Sequence, residues 1–120
     1  MIAVRKALLT AAAAGALFAS PAAADAATPQ ENLDCVIWSS YRVGVATDDT
    51  VRNALMLATA WFIGLYEGQT GKTVDDDMIA RGTKMTEAQV VAAEPSCIAR
   101  FDNFGDRLTA IGQTMSSSGK

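Results

Sequence analysis

Between Val51 and Gly68 the chain reads VRNALMLATAWFIGLYEG, its densest run of large apolar side chains beyond the first 24 residues. Val51, Leu55, Ala58, Phe62 and Leu65 are spaced 4, 3, 4 and 3, one face of a 3.6-residue helix. Ala54, Leu57, Trp61 and Tyr66 lie off that line, and Met56 and Ile63 are apolar too. A helix apolar on most sides is buried by several neighbours, so this run predicts the central rod of a bundle. Asp48 or Asp49 suits its N-cap and Gly68 its left-handed stop. Gly64, which costs a helix about 1 kcal/mol against Ala, predicts a neighbouring helix in close approach. Arg52, Asn53 and Glu67 leave about 13 residues free of charge or amide, too few to cross a bilayer.

The flanking patterns are helical as well. A first helix is expected over Glu31 to Val45, with Leu33, Ile37, Ser40 or Tyr41, and Gly44 on one stripe and Cys35 and Trp38 beside it. The short turn Ala46–Asp49 makes it antiparallel to the central helix. Thr73 opens a capping pattern with Asp76, and Thr86 opens another with Gln89. Because Gly82 and Thr83 are poor mid-helix residues, the pattern predicts two short helices, from about Val74 to Gly82 or Lys84 and from Thr86 to Ala93, rather than one kinked one. From Pro95 or Ser96 to about Met115, Cys97, Phe101, Phe104, Leu108, Ile111 and Met115 recur at 4, 3, 4, 3 and 4. That predicts a last helix with this stripe inward and Arg100, Asp102, Asp106 and Arg107 outward. No alternating strand pattern and no internal repeat occurs. The expected class is all-α, a small bundle of four to five helices over 31–115, after a flexible linker at 25–30 and before a disordered tail at 116–120.

Processing and charge narrow the function classes. Arg5 and Lys6, the apolar stretch Ala7–Ala19 and the small residues Ser20–Ala24 form the parts of a cleaved signal peptide, 1–24, with cleavage after Ala26 as the alternative. The mature protein is thereby placed in the periplasm without stable membrane insertion. It carries 8 basic against 13 acidic residues and no histidine. There is no basic patch for nucleic acid and no imidazole to serve as base or ligand. Cys35 and Cys97, an even pair in an exported chain, read as a disulfide closing the bundle.

Candidate chemistry is sparse. Asp75-Asp76-Asp77 lacks the ligand spacing of a calcium loop and suits a helix N-terminus. Ser39, Ser40 and Glu67 have no activating partner at a recognisable spacing. The expectation is a non-enzymatic protein with no metal and no cofactor. Trp38, Tyr41, Trp61, Phe62 and Tyr66 could line a pocket, but aromatics at helical spacing more often form core. Trp38, Trp61, Phe62, Tyr66, Phe101 and Phe104 are the candidates for core or for binding a protein client.

A cysteine in the first helix (Asp34-Cys35), an aromatic-glycine central helix (Trp61-Phe62-Ile63-Gly64-Leu65-Tyr66-Glu67-Gly68) and a cysteine opening the last (Pro95-Ser96-Cys97) resemble the HdeA-type periplasmic acid-stress chaperones. The pattern is also similar in outline to the Tai-type immunity proteins, which neutralise delivered toxins, and to small exported proteins of alphaproteobacteria. The first resemblance implies a charge switch. A folded homodimer at neutral pH loosens in acid, exposes Trp61, Phe62, Phe101 and Phe104 to unfolding clients, and is held together by the disulfide. The second implies a rigid plug for one protein partner. A third expectation is an envelope-associated binding protein with no switch.

Overall fold

A computed structural model describes residues 26–119. The expected signal peptide, 1–24, lies outside them. Five helices follow one another: α1 (Pro29–Val45), α2 (Asp49–Thr70), α3 (Asp75–Gly82), α4 (Glu87–Ala92) and α5 (Glu94–Ser118). The fold is all-α, with no strand among the described residues, and Cys35 and Cys97 are bonded with their Cα atoms 5.5 Å apart.

The helix ends follow capping chemistry. α1 starts two residues earlier than the pattern suggests because Thr28 and Glu31 close a reciprocal capping box. Pro29 stands in the first turn, where its missing N–H costs nothing, so it opens the helix rather than ending a linker. Asp48 caps α2 by accepting from the Val51 N–H at 2.9 Å. The stop of α2 is not Gly68: the helix continues to Thr70, and Gly71, at φ 68°, takes the left-handed position. Thr73 does not cap α3, whose first turn instead gains the Glu67 carboxylate, accepting from the Val74 N–H at 2.9 Å. Thr86 and Gln89 form the expected capping box on α4. α5 runs to Ser118, so positions 116–118 are helical rather than a disordered tail.

The central element is α1, not α2. From Asn32 to Ser39 every residue of α1 except Asp34 is buried, and α1 touches all four other helices. α2 lies antiparallel along it, with Asn32 beside Gln69 and Ser39 beside Thr59. Only Ala58, Phe62 and Tyr66 of α2 are buried, while Met56 and Leu57 are more than half exposed. The reason is length. The 22-residue α2 has one long partner, and the 8- and 6-residue helices α3 and α4 pack mainly on α1. Gly64 consequently meets no neighbour among the described residues: a Cβ there has nothing within 4 Å.

The last helix departs most from expectation. Of its apolar stripe only Cys97 is buried, Phe101 and Phe104 are half-buried, and every residue from Gly105 to Gly119 is exposed. The first and last helices meet around the disulfide rather than lying side by side along their lengths. Arg100, expected mostly outward, is half-buried and turned toward Asn32.

Candidate functional site

The interior beside the disulfide is polar and fully paired. Asn32, 1 % exposed, donates from Nδ2 to Gln69 Oε1 at 2.6 Å, and its Oδ1 accepts from Arg100. Gln69 in turn donates to the Ala27 carbonyl at 2.8 Å, tying down the chain ahead of α1. The Arg100 guanidinium lies 5.1 Å from the centre of the Phe62 ring and 3.5 Å from Cys35 Sγ. Burial pushes Arg100 below its ordinary pKa, opposed by the charge of Glu31. Ser39, also buried, donates to its own helix at the Cys35 carbonyl (2.8 Å) and is met by the Thr59 hydroxyl. A hydroxyl committed in this way is a packing device, not a nucleophile. No buried side-chain polar atom among the described residues lacks a partner.

The six aromatic candidates separate into two sets. Trp38, Phe62 and Tyr66 are core. Trp61, Phe101 and Phe104 form a half-exposed seam where α2 meets α5, with Trp61 stacked on Phe104 at 4.7 Å and 17°. Beside that stack runs an open groove of about 460 Å³, lined by Trp61, Leu65, Arg100, Asn103, Phe104 and Arg107. Further along α5 the side chains of Leu108, Ile111 and Met115 are exposed. Sequence periodicity found these residues but assigned them to the core.

A second feature was invisible in the pattern. Segment 74–94, which carries α3, α4 and the first residue of α5, is joined to α1 and α2 through carboxylates. Arg81 donates to both oxygens of Asp34, at 2.9 and 3.1 Å. The Tyr66 hydroxyl donates to Asp77, the Tyr41 hydroxyl to Glu87 at 2.6 Å, and Trp38 Nε1 to Glu94 at 3.2 Å. Glu67 receives the Val74 N–H, Arg42 stands 3.7 Å from Glu94, and Lys72 3.5 Å from Asp77. Among the described residues, every side-chain hydrogen bond from this segment to α1 or α2 has a carboxylate as acceptor. The Tyr66 hydrogen bond, helped by Lys72, holds Asp77 below the usual carboxylate range, against a smaller opposing effect of burial. The same bonds to Asp77 and Glu87 raise the pKa of Tyr66 and Tyr41.

The acidic triplet divides accordingly. Asp77 is a tether, while Asp75 and Asp76 stay exposed in the first turn of α3, where the helix dipole favours them. Among the described residues no cluster of three or more potential ligands could hold a metal ion, and no helix is long and apolar enough to cross a membrane. The chain matches no protein-family model, no curated protein and no solved structure.

Proposed function

We propose that this is a non-enzymatic periplasmic protein of the acid-stress chaperone kind, in which α3 and α4 form a cover that acid releases. One observation carries the reading: the side-chain ties between segment 74–94 and the α1–α2 pair all end on carboxylates. A protonated carboxyl loses its charge and weakens as an acceptor, and at Asp77, whose pKa is lowered in the folded protein, this links closure of the cover to pH. The mature chain then keeps its 8 Lys and Arg charges with its 13 carboxylates neutralised, and self-repulsion opposes closure.

Beneath the cover lie Ile37 and Tyr66, and on it Val74 and Val90, all buried when it is closed. Gly82 packs over Ile37, with its Cβ position 4.0 Å from Cδ1. Lifting the cover adds this surface to the Trp61–Phe104 seam and offers apolar contact to an unfolding protein. The Cys35–Cys97 bond and the Asn32–Gln69–Arg100 cluster contain no carboxylate and keep α1, α2 and the start of α5 together.

The test is light scattering from an acid-labile client at pH 2–3 and at pH 7, with and without the mature protein. Suppression of aggregation in acid alone is the expected result. Equal scattering with and without the protein at pH 2–3 sinks the proposal.

A further inference from the structure

We infer that α5 beyond Phe104 is the interface between two copies of this chain, paired antiparallel. The inference does not rest on the client-binding reading.

The last 14 residues of α5, Gly105–Ser118, are exposed throughout, with no neighbour to pack on among the described residues. A helix of that length is marginal in water unless an apolar face is covered. This one has such a face: Leu108 is 49 % exposed, Ile111 44 % and Met115 69 %. With Phe104 they repeat at 4, 3 and 4, the a/d spacing of a helix that packs along another helix.

The face fits itself. When Leu108 is set opposite the second copy's Ile111 in an antiparallel pair, Phe104 falls opposite the second copy's Met115, and the two-fold axis repeats both contacts. Four apolar layers result. Gly105 and Gly112, seven residues apart on one flank, then face the second copy's Gly112 and Gly105. A Cβ at either meets nothing within 4 Å among the described residues, so the backbones are free to approach there. On the other flank Arg107 faces the second copy's Thr114, which brings no like charges together, while Asp102 and Asp106 lie on the far side.

The groove supplies the end contact. Met115 of the second copy, opposite Phe104, enters the 460 Å³ cleft beside Trp61, Leu65 and Phe104. A flexible thioether against aromatic rings suits that site. Pairing of about four helical turns together with this cleft buries roughly 1,000 Å² in total, near the lower bound for a specific interface. A reversible dimer with a dissociation constant in the micromolar range is the corresponding expectation, on the order of −8 kcal/mol.

Sedimentation velocity of the mature protein from about 1 to 500 μM at pH 7 tests this, bracketing the micromolar midpoint. The expected result is a concentration-dependent shift from monomer to dimer. Ile111→Arg should abolish the shift with helicity retained, and Leu57→Arg, on the exposed face of α2, should leave it intact. A spin label at Ser118→Cys gives the direction: the antiparallel pair separates the two labels by roughly 25 Å or more along the helix axis. A monomer throughout, a dimer that survives Ile111→Arg, or labels in near contact overturns the inference. None of these readouts involves a client or low pH, so its failure is separable from failure of the acid-release reading.

Discussion

Arg81 of α3 and Asp34 of α1 meet at two points, Nε to Oδ1 at 2.9 Å and Nη2 to Oδ2 at 3.1 Å. Asp34 is the residue before Cys35, so α3 is joined to the same helical turn as the covalent bond. The hydrogen bonds that Arg81 donates to Asp34, and then the charge of that carboxylate, raise the pKa of Arg81. Parallel N–H···O bonds of this type set orientation as well as energy. α3 is thus held in a defined direction although none of its eight residues is fully buried.

Asp34→Asn keeps the shape and removes the charge. The pair is partly exposed, with side-chain exposures of 37 % and 24 %, so solvent screening discounts it to about 1 kcal/mol. Hydrogen exchange should quicken in the amides of α3 and α4 while those of α1 and the first half of α5 keep their protection. Uniform loss of protection across all helices would show that the cover is not a separate unit.

The pH dependence follows from the directions of the shifts. Asp77 is lowered in the folded state, so its contribution is present above the ordinary carboxylate value of about 4 and is lost as pH falls through the lower folded value. Tyr41 and Tyr66 are raised, so their contribution is complete below the ordinary phenol value of about 10 and is lost as pH rises through the higher folded values. Order in segment 74–94 should therefore show a plateau between about pH 4 and pH 10 and fall on both sides. Tyr66→Phe should return Asp77 toward the ordinary carboxylate value and weaken the alkaline limb. NMR titration of the Asp77 carboxyl in both proteins measures the first effect directly.

Reduction is a separate lever. The bond closes a sequence separation of 62 residues, for which loop-closure entropy gives about 4 kcal/mol. Cys35→Ser with Cys97→Ser should lower the thermal midpoint markedly, since a domain of this size has only about 5–10 kcal/mol in all. It should also sharpen the acid response, because α5 is then tied to α1, among the described residues, by Arg100 on Asn32 and by Glu94, which meets Trp38 and Arg42. An unchanged acid midpoint in the double variant would argue that the bond takes no part in the closed state.

How much of this was legible beforehand depended on whether a residue's environment is local. Helix identity and the capping box at Thr86 are local, and both the two short helices and the antiparallel α1–α2 pair follow from them. Burial is not local. The stripe on α5 has the same 3–4 spacing whether it faces a core or solvent, and periodicity could not reveal that the bundle ends at Phe104. The dominance of α1 was hidden because its buried run includes Asn32, Cys35 and Ser39, which are small or polar and qualify only through pairing. Arg100 was placed outward by its charge, yet it is half-buried, with Asn32 and the Phe62 ring as its partners. The carboxylate ties depend on residues up to 56 positions apart, such as Trp38 and Glu94, and no spacing rule connects them.

Two glycines in one connection should respond oppositely to alanine. Gly64 lies within α2, its Cβ position is open, and the helix continues six residues beyond it. Gly64→Ala therefore adds helix propensity and removes unfolded-state freedom at no steric cost, for a gain of about 0.5–1 kcal/mol. Gly71 ends the same helix at φ 68°, where its N–H donates to the Glu67 carbonyl at 2.9 Å. A Cβ there has open space as well, so sterics from neighbours do not decide the outcome. The left-handed backbone does, at about 1–2 kcal/mol for a residue with a side chain. Chemical denaturation at pH 7 should thus move the midpoint up for Gly64→Ala and down for Gly71→Ala. A loss of stability in Gly64→Ala would mean that another surface packs against α2 at that point, and the dimer would then have to use α2 rather than α5.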